Sequence, residues 1–274
     1  ACNRADTLQR MGGYRDPVER EHEILGLEYA GTVEAVGARV TDWRVGDAVM
    51  GIEAGACYAE LVVTHARQAL PVPPTVDLAD AAAIPEVFLT AWDALVVQGG
   101  LTSGRWALVH AGASGVGTAA IQIAKTLGAR IAVTASAGKH DVCHALGADV
   151  VIDYAEEDFV EAVRSATEGV GVDVVLDVIG GEYLARNVQS VRVGGRIIQV
   201  GVMAGGPQPF DVGSLLMKRA TVTGTTLRAR PIEEKIAITR EVAAQMLPAV
   251  AAGTLAPVID SRYPLSGVAA AHER

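Results

Sequence analysis

The 274-residue sequence is poor in aromatic side chains and contains no long apolar run. Phe, Trp and Tyr make up 4% of the residues, although half of all residues are hydrophobic, so the apolar mass is mainly Ala, Val, Ile and Leu. Apolar stretches such as 79–85 and 172–180 are interrupted well short of the roughly 18 residues that a membrane span requires. The sequence therefore predicts a soluble, folded protein with no membrane partner. Its small aliphatic residues are typical of helices packed on a parallel sheet.

Positive charge and cysteine are also scarce. Lys and Arg number 23 against 32 Asp and Glu, a formal net charge of -9. A protein that binds a nucleic-acid backbone needs the opposite balance, so no nucleic-acid partner is expected. The three cysteines, Cys2, Cys57 and Cys143, are scattered, which fits neither a disulfide framework nor a zinc knuckle. We therefore expect a reducing, cytoplasmic location.

Two patterns of different spacing follow each other along the chain. Short apolar runs divided by Gly and Pro predict a small β-rich domain over residues 1–87, with a strand, turn and strand at 24–37 and strands at 48–52 and 60–64. Residues 88–228 alternate strands and helices, which predicts an α/β fold with a doubly wound, six-strand parallel sheet. A helix over 232–252 and a strand at 257–263 predict that residues 229–274 return to the first domain. In the second domain we expect strands at 105–110, 130–134, 150–154, 173–178, 196–200 and 221–226, and helices at 116–127, 139–146, 157–167 and 183–191.

A glycine-rich turn, Gly-Ala-Ser-Gly-Val-Gly at 112–117, follows the first of these strands and opens a helix. In this context backbone N–H groups at the positive end of a helix bind a pyrophosphate, so the turn predicts a dinucleotide cofactor. A plain tight turn is the alternative, and the surrounding strand pattern favours the cofactor. We expect Gly112 to form the tight turn, Ser114, Gly115 and Val116 to present the pyrophosphate site, and Gly117 to let helix and strand touch.

The end of the second strand indicates which cofactor binds. An NAD enzyme normally places Asp or Glu there, whereas residues 133–139 contain no acid. Ser136 and Lys139 are suited instead to a 2′-phosphate, and Tyr154, at the end of the third strand, is a candidate neighbour of that phosphate. The sequence therefore predicts NADPH rather than NADH. The alternatives are a solvated lysine at a helix start for Lys139 and a packed edge residue for Tyr154.

Several segments resemble the medium-chain dehydrogenase/reductase superfamily, and the resemblance covers essentially the whole chain. Gly26-Leu27-Glu28-Tyr29-Ala30-Gly31 is similar to the G-H-E-x-x-G signature, with Leu27 at the position of the zinc-binding histidine. In Asn3-Arg4-Ala5-Asp6, Asn3 stands where the zinc-binding cysteine is found. No metal site is therefore expected. The chain resembles the zinc-independent, zeta-crystallin-like NADPH:quinone oxidoreductases, and within them the tumour-suppressor-inducible subgroup, through residues 3–6, 82–86, 89–91, 110–112, 115–122 and 179–181.

The resemblance implies a GroES-like catalytic domain beside a Rossmann domain, with NADPH in the cleft between them. It also implies a homodimer that pairs the edge strand near 221–226, and residues missing before Ala1 and after Arg274. Three candidate catalytic residues follow from it: Asn3 near the nicotinamide carboxamide, Asp6 orienting Asn3 or a neighbour, and Tyr14 lining the nicotinamide side. The cofactor contacts it adds to those of the turn and the 2′-phosphate site are Asn3, Tyr14, Thr90, Gly201, Val202, Met203, Thr225, Thr226 and Leu227.

Two of these residues also have ordinary structural interpretations. Tyr14 could be a loop tyrosine packed against Pro17, and Thr90 could be a helix-start hydroxyl. Without the resemblance, spacing alone does not assign either residue to a site.

The loss of zinc ligands narrows the expected chemistry. Hydride addition to a simple ketone gives an alkoxide about as basic as hydroxide, which needs a Lewis acid or a placed proton donor. A quinone or enone spreads the charge into a phenolate-like or enolate oxygen. For a hydroquinone that anion resembles tyrosinate, with a pKa of about 10, so water can protonate it. We therefore expect hydride transfer from NADPH to a quinone or similar conjugated carbonyl. The alternatives are an enoyl-thioester or enone reductase, with Tyr14 or Tyr58 as proton donor, and a non-catalytic NADPH-binding protein.

Overall fold

The computed structural model describes residues 1–19, 21–205 and 207–274. These residues form two compact units, one of Ala1–Leu89 with Leu227–Arg274 and the other of Thr90–Thr226. The strands are β1 (Glu28–Thr32), β2 (Ala48–Ile52), β3 (Leu70–Pro71), β4 (Trp106–Val109), β5 (Arg130–Ala135), β6 (Val150–Asp153), β7 (Val172–Asp177), β8 (Val191–Gln199) and β9 (Thr221–Gly224). The α-helices are α1 (Arg4–Arg10), α2 (Leu78–Ala81), α3 (Pro85–Trp92), α4 (Gly115–Thr126), α5 (His140–Ala145), α6 (Phe159–Ala166), α7 (Tyr183–Ser190), α8 (Val212–Lys218), α9 (Ile232–Ala251) and α10 (Val268–Glu273).

The unit Thr90–Thr226 contains a parallel sheet in the order β6-β5-β4-β7-β8-β9. This is the doubly wound order, and it reverses between β4 and β7, the position at which such sheets bind nucleotides. The predicted fold class is confirmed, and all six predicted strands and the four helices between them are present. Most ends differ by one or two residues, but β8 begins at Val191 rather than Arg196.

The parallel sheet forms because its central strands are apolar on both faces. Ala107, Leu108 and Val109 of β4 have no exposed surface, as expected of strands covered by helices on each side. Helix α6 shows how these helices attach: Asp158 caps its first turn by accepting from the Val160 N–H, and the helix buries Phe159 and Val163. Burial of each such side chain contributes about 1.5–3 kcal/mol.

The other unit contains an antiparallel sheet in the order β1-β2-β3, with Ala30 paired to Met50. The expected strand at 48–52 and the helix beginning at Ile232 are confirmed. Three expectations are wrong: 24–37 contains only β1, and neither 60–64 nor 257–263 forms a strand. Val63 is 96% exposed and Val258 is 49% exposed, so these apolar residues do not form a buried strand face. Among the described residues, no helix combines the length and apolar composition of a membrane span.

Candidate active site

The turn between β4 and α4 carries the candidate pyrophosphate site. Ser114 is the N-cap of α4, and its Oγ accepts a hydrogen bond from the Gly117 N–H at 3.1 Å. The N–H groups of Gly115 and Val116 lie in the first turn of the helix, where backbone donors have no intrahelical acceptor. Together with the helix dipole they form a site suited to an anion.

Two glycines of this turn are required by close packing. A Cβ atom at Gly112 would lie 2.5 Å from the Cβ of Val133 on β5, and one at Gly117 would lie 2.3 Å from the carbonyl oxygen of Ala111. The expected contact at Gly117 is therefore present. Gly112 lies in the tight turn that the Ser114 N–H closes by donating to the Ala111 carbonyl oxygen at 2.9 Å. The left-handed residue of this turn is Ala111, with φ of 56°, and the missing side chain at Gly112 lets the turn approach β5.

The candidate 2′-phosphate residues lie at the carboxyl ends of neighbouring strands. Ala135 of β5 pairs with Asp153 of β6, which places the next residues, Ser136 and Tyr154, at the same sheet edge. Lys139 ends the short 3-10 turn after Ser136, and its side chain is exposed. Tyr154 is 52% exposed, so it is not a packed residue. These three side chains are available to a ligand from solvent.

The remaining candidates of this unit lie after β8 and β9 and on α3. Gly201, Val202 and Met203 follow β8, and the two apolar side chains are largely exposed. Thr225 follows β9 and donates from Oγ1 to Asp93 Oδ2 at 3.0 Å. Thr90 lies within the last turn of α3, so the helix-start interpretation is wrong.

A π-helical turn, Asp93–Gln98, continues directly from α3, and it contains Asp93, whose side chain is buried. π-Turns inside helices are frequent at functional sites. Of the last two candidates, Thr226 is exposed and Leu227 is buried.

The unit Ala1–Leu89 with Leu227–Arg274 holds a polar cluster around Asn3, the N-cap of α1. The Asn3 backbone N–H donates to Asp6 Oδ2 and its side-chain Nδ2 to Glu28 Oε1, each at 2.8 Å. The Tyr58 hydroxyl donates to Asp6 Oδ2 at 3.0 Å and lies 3.0 Å from His272 Nε2. Asp6 and Glu28 are both buried. Asp6 thus holds the Asn3 backbone, and Glu28 accepts from its side-chain amide.

The buried acids of this cluster change the acidity of their neighbours. Burial, followed by Cys2 and Asp6, raises the pKa of Tyr58 far above its ordinary value. A hydroxyl whose proton is held by a carboxylate is a poor proton donor, which argues against Tyr58 in that role. Burial, and then the charge of Glu28, raises the pKa of Glu86 to about 8, so this carboxyl is protonated at neutral pH.

Tyr14 is held by Arg228, a residue that sequence reasoning missed. The guanidinium carbon of Arg228 lies 4.9 Å from the centroid of the Tyr14 ring, and Nη1 donates to the Tyr14 carbonyl oxygen at 3.4 Å. Arg228 also donates to the Ala54 carbonyl oxygen at 2.6 Å and to Gln9 Oε1 at 2.7 Å, and it pairs with Asp16 at 3.6 Å. No local signal could reveal this role, since its partners lie more than 170 positions away.

The residues at the superfamily's zinc positions do not fit a zinc ion. Leu27 is apolar and 2% exposed, and Asn3 offers a neutral amide, which donates from Nδ2 to Glu28, in place of a thiolate. Within residues 1–19, 21–205 and 207–274, no three His, Cys, Asp or Glu side chains are grouped as metal ligands would be. The donor chemistry of this site therefore does not match zinc.

Comparison with known proteins places the chain in a family. The family model described as "Zinc-binding dehydrogenase" matches residues 115–244, and "Alcohol dehydrogenase GroES-like domain" matches residues 1–74. The solved structure of mycobacterial Rv1454c with NADPH is 32% identical, with a TM-score of 0.88 over 99% of this chain and 84% of that one. The chain belongs to the medium-chain dehydrogenase/reductase superfamily. The name of the first family model mentions zinc, but in this chain Leu27 and Asn3 stand at the zinc-binding positions.

Other members of the superfamily that resemble the chain differ in activity. Escherichia coli quinone oxidoreductase, solved with NADPH, is 30% identical with a TM-score of 0.87, covering 99% of this chain and 84% of that one. CurK enoyl reductase is 27% identical with a TM-score of 0.84, covering 98% and 82%. A curated relative, "Putative inactive phenolphthiocerol synthesis polyketide synthase type I Pks1" of Mycobacterium tuberculosis, is 43% identical over 65% of this chain. The match spans only 11% of that protein's length.

The close packing at Gly117 gives a testable consequence. In Gly117→Ala the new methyl group meets the Ala111 carbonyl oxygen, so the turn must shift, and we expect a loss of about 1–3 kcal/mol in the free energy of unfolding. Urea denaturation followed by circular dichroism measures this loss. The matched control is Gly138→Ala, where a Cβ atom has no neighbour within 4 Å and the change should be below about 0.5 kcal/mol. Equal stability of the two variants would contradict the packing argument.

Proposed function

We propose that the chain is an NADPH-dependent reductase that transfers hydride to a conjugated carbonyl, with a quinone as the favoured acceptor. The observation that carries this proposal is the α4 N-terminus at the reversal point of the sheet, next to a β5 end that lacks an acid. The NADPH complexes of two relatives support the cofactor. We place the chain with the zinc-independent quinone oxidoreductases and, within them, the tumour-suppressor-inducible subgroup.

In this proposal the region 88–228 binds the nucleotide, and 1–87 with 229–274 supplies the catalytic domain. Bound NADPH supplies the hydride. The N–H groups of Gly115 and Val116 bind the pyrophosphate, and Lys139 and Ser136 bind the 2′-phosphate with Tyr154 beside them. The remaining candidate cofactor residues are Asn3, Tyr14, Thr90, Gly201, Val202, Met203, Thr225, Thr226 and Leu227.

The class of hydride acceptor follows from which side chains could stabilise or protonate the negative oxygen that hydride transfer creates. Leu27 and Asn3 supply neither an imidazole nor a thiolate for a zinc ion, and the Tyr58 proton is engaged by Asp6. An acceptor whose product oxygen has a pKa of about 10 can be protonated by water, whereas an alkoxide cannot be accommodated in this way. Binding and orientation by the chain then account for most of the rate. This argument supports a quinone or enone over a simple ketone.

An enoyl-thioester reductase is the second candidate, favoured by the 43% identity to a segment of a polyketide synthase and by the likeness to CurK enoyl reductase. Such a reaction needs a proton at the α-carbon of the substrate. With Tyr58 disfavoured, Tyr14 is the candidate donor, and Arg228 against its ring fixes its position. A non-catalytic NADPH-binding protein is the third candidate.

A substrate comparison separates these functions. We expect NADPH oxidation with 1,4-benzoquinone to have a kcat/KM at least about tenfold above that with a crotonyl thioester, because only the quinone product needs no placed proton donor. Stopped-flow absorbance at 340 nm measures both. Tyr14→Phe keeps the aromatic ring proposed to line the nicotinamide and removes only the hydroxyl, so it should leave quinone turnover within about twofold. Tyr263→Phe, on an exposed segment, is the control.

A higher kcat/KM for the crotonyl thioester than for the quinone, together with loss of thioester turnover in Tyr14→Phe, would establish the enoyl reductase instead. Tight NADPH binding with no turnover of either substrate would favour the non-catalytic protein.

Cofactor selectivity tests the 2′-phosphate site. Lys139→Ala should weaken NADPH binding by about tenfold or more and leave NADH binding unchanged, since a charge-assisted hydrogen bond contributes about 1.5–3 kcal/mol. Fluorescence titration of both cofactors gives the two dissociation constants. Lys125→Ala is the control, because Lys125 pairs with Asp149 at 2.9 Å. Equal weakening for both cofactors would remove Lys139 from the site.

We also propose a homodimer that pairs β9 with its copy. Strand β9 is the last in the sheet order, and an open edge strand readily pairs with another chain. Leu216 and Met217 of α8, just before β9, are 73% and 77% exposed. Light scattering should give the mass of two chains for the wild type and of one for Leu216→Glu with Met217→Glu. Val63→Glu, on the other unit, should remain dimeric, and a monomeric wild type would end the proposal.

A further inference from the structure

His110, the residue between β4 and the glycine-rich turn, is completely buried and makes a contact at each ring nitrogen. Its Nε2 lies 2.7 Å from Asn187 Oδ1, and its Nδ1 lies 3.1 Å from Thr134 Oγ1. The ring packs edge-on against Phe159 and Tyr183, each with 4.8 Å between ring centroids. With no exposed surface, this histidine acts through the residues it contacts and not on a ligand directly.

The chain of hydrogen bonds continues from Asn187 to the loop after β7. Asn187 Nδ2 donates to Asp177 Oδ2 at 2.9 Å, and Asp177 Oδ1 accepts from the Ile179 and Gly180 N–H groups at 2.6 and 2.9 Å. Asn187 and Asp177 have no exposed surface. Gly180 and Gly181 both have left-handed φ angles, +67° and +61°, so this loop has a conformation that few other residues adopt. The Asp177 carboxylate therefore helps to hold the loop backbone, together with backbone bonds such as that from the Ala204 N–H to the Ile179 carbonyl oxygen at 2.8 Å.

The direction of every hydrogen bond in this network follows from its anionic end. The Asp177 carboxylate only accepts, so the Asn187 amide nitrogen faces it and Asn187 Oδ1 faces His110. His110 Nε2 must then carry a proton, and Nδ1 accepts from the Thr134 hydroxyl, whose oxygen accepts from the Ala111 N–H at 3.3 Å. Burial lowers the pKa of His110, although Asp177 opposes this shift, and the neutral ring agrees with this assignment. The bonds all point toward Asp177, so they polarise one another in the same sense.

We propose that His110, as the neutral Nε2–H tautomer, is a positioning residue for nucleotide binding that couples the turn 111–117 to the loop 179–181. These segments follow β4 and β7, which are adjacent in the sheet and lie on either side of its reversal point. A nucleotide at that point requires both backbone segments in fixed positions. The inference rests on the proposed NADPH binding, but the coupling itself is a property of the free protein.

Substitution of His110 tests the coupling. His110→Phe keeps an aromatic ring against Phe159 and Tyr183 but removes both hydrogen bonds, and His110→Gln retains a donor for Asn187. We expect the dissociation constant for NADPH to rise about tenfold or more in His110→Phe, with partial recovery in His110→Gln. Val163→Ala, in the same hydrophobic core, is the control. It should lower the Tm but leave the NADPH dissociation constant within about twofold of the wild type. An equal rise of the NADPH dissociation constant in His110→Phe and Val163→Ala would overturn the proposal.

Amide hydrogen exchange gives a second readout that does not depend on NADPH. In the free protein, His110→Phe should accelerate exchange in 111–117 and 179–181 together, and Val163→Ala should accelerate it around α6 alone. Thr134→Val removes the hydroxyl that contacts His110 and Ala111, so it breaks the same hydrogen-bond network at its other end. This variant should accelerate exchange in the same two segments, and it replaces His110→Phe in the test if that variant does not fold. Unchanged exchange at 179–181 would overturn the coupling. A wild type that binds no NADPH would end the proposed function, while the exchange pattern would still decide the role of His110.

Discussion

The structure of the unit Thr90–Thr226 depends on one steric constraint, the close approach of the turn after β4 to both β5 and α4. Gly112 lies against Val133, and Gly117 lies against the carbonyl oxygens of Ala111 and Gly112, at distances that leave no room for a side chain. This contact sets where α4 begins and directs its first N–H groups out of the sheet edge. The same atoms that pack the helix on the sheet therefore form the candidate pyrophosphate site, so a change in this packing would also change the candidate site.

Buried acids accept hydrogen bonds from the segments around them in both units, although the Oδ1 atom of Asp6 has no partner among the described residues. Asp177 accepts from two backbone N–H groups and an amide, Asp6 from a backbone N–H and a phenol, and Glu28 from the Asn3 amide and the Glu86 N–H. A buried charge is costly unless hydrogen bonds replace its hydration. Each acid therefore requires its loop or helix start in one conformation, and in each unit these acids lie beside candidate site residues.

The sequence predicted the parallel sheet well and the small unit less well, for a physical reason. Strands buried on both faces appear as apolar runs, so β4, β5 and β7 could be located without knowledge of their neighbours. In the small unit, the short apolar run at 60–64 indicated a strand, yet Val63 is 96% exposed. Gly112 and Gly117 could be found because their spacing is local. Arg228 and the network from His110 to Asp177 could not, because each joins residues far apart in the chain.

The polar cluster around Asn3 shows how a zinc-binding architecture can persist with other chemistry. In the superfamily's signature, Glu28 follows a zinc-binding histidine, and here that position is the buried Leu27. Glu28 then receives the Asn3 side-chain amide and the Glu86 N–H, each at 2.8 Å, so its carboxylate oxygens are satisfied within the protein. Asn3 stands at the other substituted zinc position, where the superfamily has a cysteine. An amide in place of a thiolate removes a metal ligand and supplies the hydrogen-bond donor that Glu28 accepts. The two substitutions are therefore mutually consistent, and a zinc ion would have to displace hydrogen bonds that hold α1 in place.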